Sequence, residues 1–295
     1  MENAVEINGL TKKYKDFTLD VSTVIPKGFS TALIGANGAG KTTFIDILCG
    51  VTAKSGGEAV YFGGMTDTGD DKLRNRIGYC SAGNFFPLDW KLKTIAECMS
   101  IGFDNFDRAR FTELCARWKL GSPDDRKQKK QIQQSDGNRM RTALAAVLAR
   151  DTELLVLDEP ASSLDPLARD QLCEMFREYL AEKDGERTVL FSTHNIADME
   201  LATDYAIFMS NGRVIEQGFV EDLKDKYILV HGDAGNGGKA KPFMLSYSVN
   251  STAFEGTALA ENAPSLEAVG AITERPTLQQ LSVGILRKAE EDAGK

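Results

Sequence analysis

Gly35-Ala36-Asn37-Gly38-Ala39-Gly40-Lys41-Thr42 fits the pattern G-x-x-x-x-G-K-[ST] at every fixed position. Glycines at this density let consecutive backbone N–H groups curve around phosphate oxygens, and the helix that follows turns its positive end toward them. In that arrangement Lys41 reaches the β- and γ-phosphates of a nucleotide and Thr42 holds Mg2+. A chance glycine-rich turn would lack the flanks seen here, an apolar run before the loop ("FSTALIG") and a helical pattern after it ("TTFIDILCG").

A second group is Leu154-Leu155-Val156-Leu157 running into Asp158-Glu159. The apolar run suits a strand buried on both faces, and two carboxylates at its end are costly without partners or a task. Beside a phosphate loop, Asp158 is placed to orient Mg2+ and its waters, and Glu159 to polarise an attacking water as a general base. Taken alone, the pair reads equally well as two solvated acids. A third candidate is His194, after the apolar run "TVLFST". A lone histidine at a strand end is more often structural. This strand end, however, should lie at the γ-phosphate edge of a parallel sheet, where an imidazole can contact the phosphate and the water.

These groups need a scaffold, and the intervening sequence describes one. "VEINGL", "FTLDVSTV" and "FSTALIG" read as short strands separated by turns, and "GGEAVYFGG" as another. Residues from about 85 to 150 are rich in helix formers and predict a helical subdomain. "PLARDQLCEMFREYLAEKDG" predicts an amphipathic helix ending at Gly185. Between "LLVLDEP" and "TVLFSTH" it makes a parallel βαβ unit. "DYAIFMSNGRVIEQG" predicts a hairpin around Asn211-Gly212. Past about residue 229 the texture changes. "HGDAGNGGKAKP" reads as a flexible glycine-rich linker. In "RPTLQQLSVGILRKAEED", Thr277 and Gln280 have capping-box spacing, with Leu278, Leu281, Ile285 and Leu286 toward one helical face. The division is therefore residues 1–229 as the main domain and 230–295 as linker and small C-terminal appendage.

The composition agrees with a globular α/β chain: 295 residues, 42% hydrophobic and 26% charged. A net charge of −8 argues against nucleic acid as a partner, because phosphate backbones need a basic face. The 5 cysteines are scattered and form no C-x-x-C pair, which suits reduced buried thiols better than disulfides or zinc. No basic-then-apolar leader opens the chain, and no run of about 18 apolar residues occurs to span a membrane.

The order and spacing of these motifs over residues 5–222 resembles the ATP-binding cassette ATPases, the nucleotide-binding subunits of ABC transporters. Gly35 to Thr43 match Walker A, so the resemblance implies ATP contacts from Gly35, Asn37, Gly38, Ala39, Gly40, Lys41, Thr42 and Thr43. Leu154 to Asp158 match Walker B, with Thr42 and Asp158 as the Mg2+ residues. Glu159 matches the catalytic glutamate, His194 the switch histidine, and Ser163-Leu164-Asp165 the D-loop. Tyr14 matches the aromatic position that stacks on adenine, where a flat π-face holds a purine without reading it closely. The plain alternative is an exposed tyrosine beside lysines. The implied fold is an α/β P-loop cassette. It has a parallel-sheet core, an N-terminal antiparallel β subdomain, a helical signature subdomain and the C-terminal appendage.

Two places depart from the family pattern. The Q-loop glutamine position is Ala82, with Asn84 two residues on; alanine can neither touch Mg2+ nor sense a membrane subunit. The stretch Gln134-Ser135-Asp136-Gly137-Asn138 aligns with L-S-G-G-Q, the signature that contacts the γ-phosphate of ATP held by the opposite subunit. Ser135 and Gly137 are retained. Read alone, the stretch is a helix start, with Ser135 as N-cap and an acid in the first turn. In a signature, Asp136 would repel a γ-phosphate by on the order of 1–4 kcal/mol for unit charges ~4 Å apart. Arg139 and Arg141 one turn on would offset that.

The resemblance implies an ATP-hydrolysing subunit at the cytoplasmic face of the membrane. Its partners would be a separate transmembrane permease, docked by a helix in a groove near residues 80–105, and a second cassette in a homo- or heterodimer. "ITERPTLQQLSVGILRK" and "FDNFD" are similar to bacterial exporter-type ATPases of bacitracin- and acetoin-linked transport, which implies export. Two alternatives stay open, a slow-hydrolysing regulatory switch and the degenerate-site member of a heterodimer. A soluble repair or translation ATPase fits less well, given one cassette and no long coiled-coil insertion.

Overall fold

The computed structural model describes residues 2–81, 83, 85–125 and 127–293. Ala82 and Asn84, read above as the Q-loop position, lie outside the described residues.

The chain begins with β1 (Asn3–Lys13) and β2 (Thr18–Pro26), an antiparallel pair in which β2 buries Leu19, Val21 and Thr23 alternately and register shifts break the alternation along β1. β3 (Ser30–Ile34), buried along its whole length, delivers the glycine-rich loop and then α1 (Lys41–Leu48). β4 (Gly56–Tyr61) closes a three-stranded antiparallel sheet in the order β2-β1-β4. After α2 (Asp71–Arg76) and β5 (Ile77–Cys80) the chain becomes helical, with α3 (Leu92–Gly102), α4 (Arg108–Arg117) and α5 (Asp136–Leu148). It returns to the sheet at β6 (Leu154–Leu157), crosses through α6 (Pro166–Ala181) to β7 (Thr188–Thr193), and continues into β8 (Tyr205–Ser210) and β9 (Arg213–Phe219).

The central sheet has the order β5-β6-β7-β3-β8-β9, parallel except for the last hairpin strand. Its registers align Cys80 with Leu157, Leu157 with Phe191, and Phe191 with Ala32, so the C-terminal ends of four strands share one edge. Ligand-binding loops gather at such an edge in open parallel sheets. Both faces are covered. One apolar cluster joins the sheet to α3–α6, and a second joins it to α1 and the antiparallel sheet. The expected helix to Gly185 stops earlier, at Ala181. Lys183 and Asp184 then turn left-handed at φ 54° and 53°, a geometry that helix hydrogen bonding cannot continue. The hairpin at Asn211-Gly212 forms as expected, both residues at positive φ (48° and 76°) as a tight two-residue turn requires.

The C-terminal stretch comprises α7 (Val220–Lys226), β10 (Tyr227–Asp233), α8 (Ala234–Ala240), β11 (Ser246–Val249), β12 (Ala253–Leu259), α9 (Ala263–Ala268), β13 (Ile272–Glu274) and α10 (Leu278–Ala293). Its strands form an antiparallel sheet, β11-β12-β10-β13, with its own small apolar cluster. The expected linker is folded, into the end of β10 and α8. Two of its glycines serve close approach: a Cβ would lie 2.4 Å from the Tyr247 hydroxyl oxygen at Gly237 and 2.7 Å from the Phe254 ring at Gly232. The capping box at α10 forms, with Gln280 N–H donating to Thr277 Oγ1 at 3.2 Å and Thr277 N–H to Gln280 Oε1 at 2.9 Å. α10 packs on both units. Leu278 and Leu281 are buried in the main core, and each such side chain is worth roughly 1.5–3 kcal/mol. Gly284 lies so close to β12 that a Cβ would stand 2.3 Å from Thr257 Oγ1. Glu200 fixes the helix start by accepting from Leu278 N–H at 2.9 Å while holding Lys224 at 2.9 Å.

Candidate functional site

The loop between β3 and α1 is shaped by its glycines. Gly38 and Gly40 sit at φ 84° and 101°, where a side chain would be strained. At Gly35 a Cβ would meet Met209 O at 2.5 Å, so only glycine lets the loop lie against β8. Lys41 is buried to 6% exposure and turns back into the loop, donating to Gly35 O at 2.8 Å and Ala36 O at 3.2 Å. Its ammonium also lies 3.5 Å from Glu159 Oε1.

Around it, neighbouring strand ends are cross-linked by short polar contacts. Thr42 Oγ1 donates to Asp158 Oδ2 at 2.8 Å. Ser192, fully buried on β7, donates its hydroxyl to Asp158 Oδ1 and accepts the Glu159 N–H at 2.9 Å. Glu159 Oε2 lies 2.8 Å from His194 Nδ1. Glu159 itself stands at φ 48°, a left-handed conformation costing a non-glycine residue of order 1–3 kcal/mol, and its carbonyl accepts the Ser162 hydroxyl at 2.9 Å. The strain aims the carboxylate away from the direction of the strand and toward Lys41 and His194. Nearby, burial pushes the Cys80 thiol up to about 12, with the Asp158 charge adding, so this cysteine is a neutral apolar group at the site.

Asn37, Gly38, Ala39, Gly40, Lys41, Thr42, Thr43, Glu159 and Phe17 line a cavity of about 280 Å³. Tyr14 stands outside that lining. It is 49% exposed, with Lys12 Nζ 5.6 Å from its ring centre and the Phe17 ring 6.3 Å away. Phe17 and Ser192 are thus two site residues that the sequence reading missed. A serine inside the apolar run "TVLFSTH" was a signal, since a buried hydroxyl needs a partner. Nothing local distinguished Phe17 from Tyr14.

Ser135, Asp136 and Gly137 lie elsewhere, at the start of α5 beside the D-loop. Ser135 caps α5, accepting the Asn138 N–H at 3.2 Å. Asp136 is 75% exposed and its carboxylate pairs with Arg139 on the same turn. A Cβ at Gly137 would stand 3.0 Å from Ser163 O, so this retained glycine allows the helix start to touch the D-loop. Asp165 caps α6 through Ala168 N–H at 3.0 Å and receives Arg141 Nη2 at 2.8 Å. The Ala168 N–H, together with Arg141 and against the cost of desolvation, holds the Asp165 carboxyl below its ordinary range.

A family profile described as "ABC transporter" matches residues 18–162. An uncharacterized ABC transporter ATP-binding protein of Synechocystis sp. is 30% identical over 286 residues, covering 91% of this chain and 78% of its own. The chain belongs to the family of ABC transporter ATP-binding proteins. ABC transporter A family member 10 of Dictyostelium discoideum is 32% identical over 75% of this chain, and the match spans only 26% of that protein. The daunorubicin/doxorubicin resistance ATP-binding protein DrrA of Streptomyces peucetius is 32% identical, covering 75% of this chain and 67% of DrrA. A solved structure of the ATP-binding subunit of an ABC transporter superposes with a TM-score of 0.66 at 25% identity, over 75% of this chain and 92% of that one. A dimeric cassette in a post-hydrolysis state, bound to ADP and phosphate, superposes at 0.62 and 23% identity, over 73% of this chain and 98% of that one, and shows the shared fold. The mixed sheet, the antiparallel N-terminal strands and the helical insertion are those of an ABC cassette.

Proposed function

We propose that this ABC cassette binds and hydrolyses ATP, powers export through a separate transmembrane permease, and closes as a dimer with a second cassette. The observation that carries the reading is the convergence of Lys41, Thr42, Asp158, Glu159 and His194 on one sheet edge. ATP phosphates would lie along the N–H groups of the loop, with Lys41 exchanging its carbonyl partners for phosphate oxygens. Thr42 Oγ1 and Asp158 Oδ2 are hard oxygen donors already in contact. Among the described residues no cluster of three or more His, Cys, Asp or Glu side chains forms a metal cage. That donor set fits Mg2+ held jointly with phosphate oxygens and waters, and not a metal bound by protein alone. When bound, Mg2+ would neutralise charge on the β- and γ-phosphates. Glu159 would take a proton from the attacking water as it bonds to the γ-phosphorus and ADP leaves, and His194 would orient the Glu159 carboxylate.

The other half of each ATP site would come from Ser135 and Gly137 of the partner cassette, with Asp165 ordering the contact. Export rests on the similarity of the C-terminal stretch to exporter-type ATPases and on a Nod factor export ATP-binding protein among the relatives, which also include a petrobactin import ATP-binding protein. The permease helix would dock near Tyr79, Phe85, Met99 and Phe103, which line an apolar cavity of about 200 Å³. No helix among the described residues is long and apolar enough to cross a membrane, so attachment to the cytoplasmic face would run through that partner. The experiment is ATP turnover of the purified chain and of Glu159→Gln, with nucleotide affinity measured on both. Undiminished hydrolysis in the variant refutes the assignment.

A second reading is a slow switch, or the modified member of a heterodimer. It is favoured by the exposed Asp136 in the signature. Turnover measured with and without a candidate membrane subunit and a second cassette separates it from the first.

A further inference from the structure

The β8–β9 hairpin faces two ways. Its turn touches the phosphate loop: Gly212 N–H donates to Ala39 O at 2.9 Å, and a Cβ at Gly40 would stand 3.5 Å from Gly212 Cα. The other side of the hairpin forms one wall of a cavity of about 420 Å³, and α10 forms the opposite wall. Small-molecule sites commonly measure roughly 300–1,000 Å³. Ile215, Tyr227, Leu245 and Ile285 give this cavity an apolar interior.

Four charged side chains face it: Arg213, Glu216, Lys288 and Asp292. Glu216 is taken by Lys226 Nζ at 2.5 Å and by the Tyr227 hydroxyl. Lys288 is taken by Asp292 at 2.9 Å. Arg213 pairs with no side chain among the described residues. Among the described residues the result is an apolar chamber with one cation, Arg213, at its edge that has no side-chain partner.

We propose that this cavity binds a small amphipathic anion, its tail along Ile215, Leu245 and Ile285 and its head on Arg213, and that occupancy is felt at the phosphate loop through the Gly212–Ala39 hydrogen bond. A polar ligand would leave its hydroxyls without partners against these walls. An apolar tail gains from leaving water, and the guanidinium selects a planar anionic head such as a carboxylate. Because Arg213 is exposed, its charge selects more than it tightens. The link to the loop rests on the nucleotide reading above; the site itself does not.

The test uses the full chain with decanoate as probe and decanol as its uncharged control, measured by titration calorimetry. Saturable decanoate binding is expected, weakened about fivefold by Arg213→Ala, as suits an exposed pair. Ala289→Trp, which fills the cavity from α10, should abolish it. Saturating decanoate should change the affinity for a fluorescent ATP analogue at least twofold in the parent chain and not in Ala289→Trp. Absence of saturable binding overturns the site, as does equal binding by Ala289→Trp with an unchanged circular-dichroism spectrum. Should that variant unfold, Arg213→Ala decides alone, and an unchanged affinity there overturns the proposal. Decanol binding as tightly as decanoate overturns the anionic head. Unchanged analogue affinity overturns the link to the loop. A chain that binds decanoate but no nucleotide would refute the ATP reading and leave this site standing.

Discussion

The phosphate loop and the signature stretch would serve the same substrate, yet they are built oppositely. Around the loop, residues from two strand ends and a helix are tied by short side-chain contacts: Lys41 to Glu159, Thr42 and Ser192 to Asp158, Glu159 to His194. At the signature, Asp136 and Arg139 satisfy each other within one exposed turn, and Ser135 spends its hydroxyl on the helix N-terminus. Groups that act within one chain can be preorganised by a rigid sheet edge, where few alternatives exist. Groups that act on a neighbour's ligand must be presented at the surface, so their polar atoms are kept satisfied locally until the neighbour arrives.

Mutations should expose this difference. The largest effect is expected from Glu159→Gln. Turnover should fall on the order of 10²–10⁴-fold, the range for loss of a general base, with ATP affinity retained in equilibrium binding. A variant that keeps its rate would place the base elsewhere. Next comes Lys41→Ala. One charge-assisted contact to phosphate is worth roughly 1.5–3 kcal/mol, so nucleotide affinity should drop about tenfold or more. Affinity within twofold of the parent would mean that the backbone cradle alone carries binding.

Asp136→Gly tests the other side of the comparison. It should raise ATP-dependent dimerisation or turnover severalfold, since removing the carboxylate relieves repulsion that Arg139 only partly offsets. No change in sedimentation or rate would show that the side chain points away from the shared phosphate. The smallest effect is a pH dependence at the D-loop. Asp165 has a depressed folded-state pKa, held by the Ala168 N–H and Arg141. Its stabilisation is therefore present above the unfolded carboxylate value, about 4, and is lost as pH falls through the folded one. Thermal melts of Asp165→Asn should converge with those of the parent chain below about pH 4 and separate above it. Parallel curves across that range would remove Asp165 as the titrating cap.

Much of this was legible in the residues. The loop, the strand ending in Asp158-Glu159, the hairpin at Asn211-Gly212 and the α10 capping box are each written in a few adjacent positions. Their chemistry depends on local backbone geometry, so type and spacing carry it. The apolar runs of β6 and β7, with an amphipathic helix between them, likewise demand a parallel pair covered on both faces.

Other features depend on which segments meet. "HGDAGNGGKAKP" has the composition of a linker, but Gly237 is there because Tyr247 and Phe254, distant in sequence, press on α8. Phe17 lines the cavity at the glycine-rich loop while Tyr14, matched by family pattern, stands outside that lining. Ser192 becomes a clamp on Asp158 and Glu159 only when β7 lies next to β6. The sequence by itself determined what chemistry this chain can do, because a phosphate cradle and a strand-end carboxylate pair are short-range motifs. Tertiary structure alone decided how those groups are held: the left-handed turn at Glu159 pinned by Ser192, the seat of Gly137 against the D-loop, and the chamber between the hairpin and α10. These arise from contacts between residues far apart in the chain, where packing and satisfaction of buried polar groups outweigh local preference.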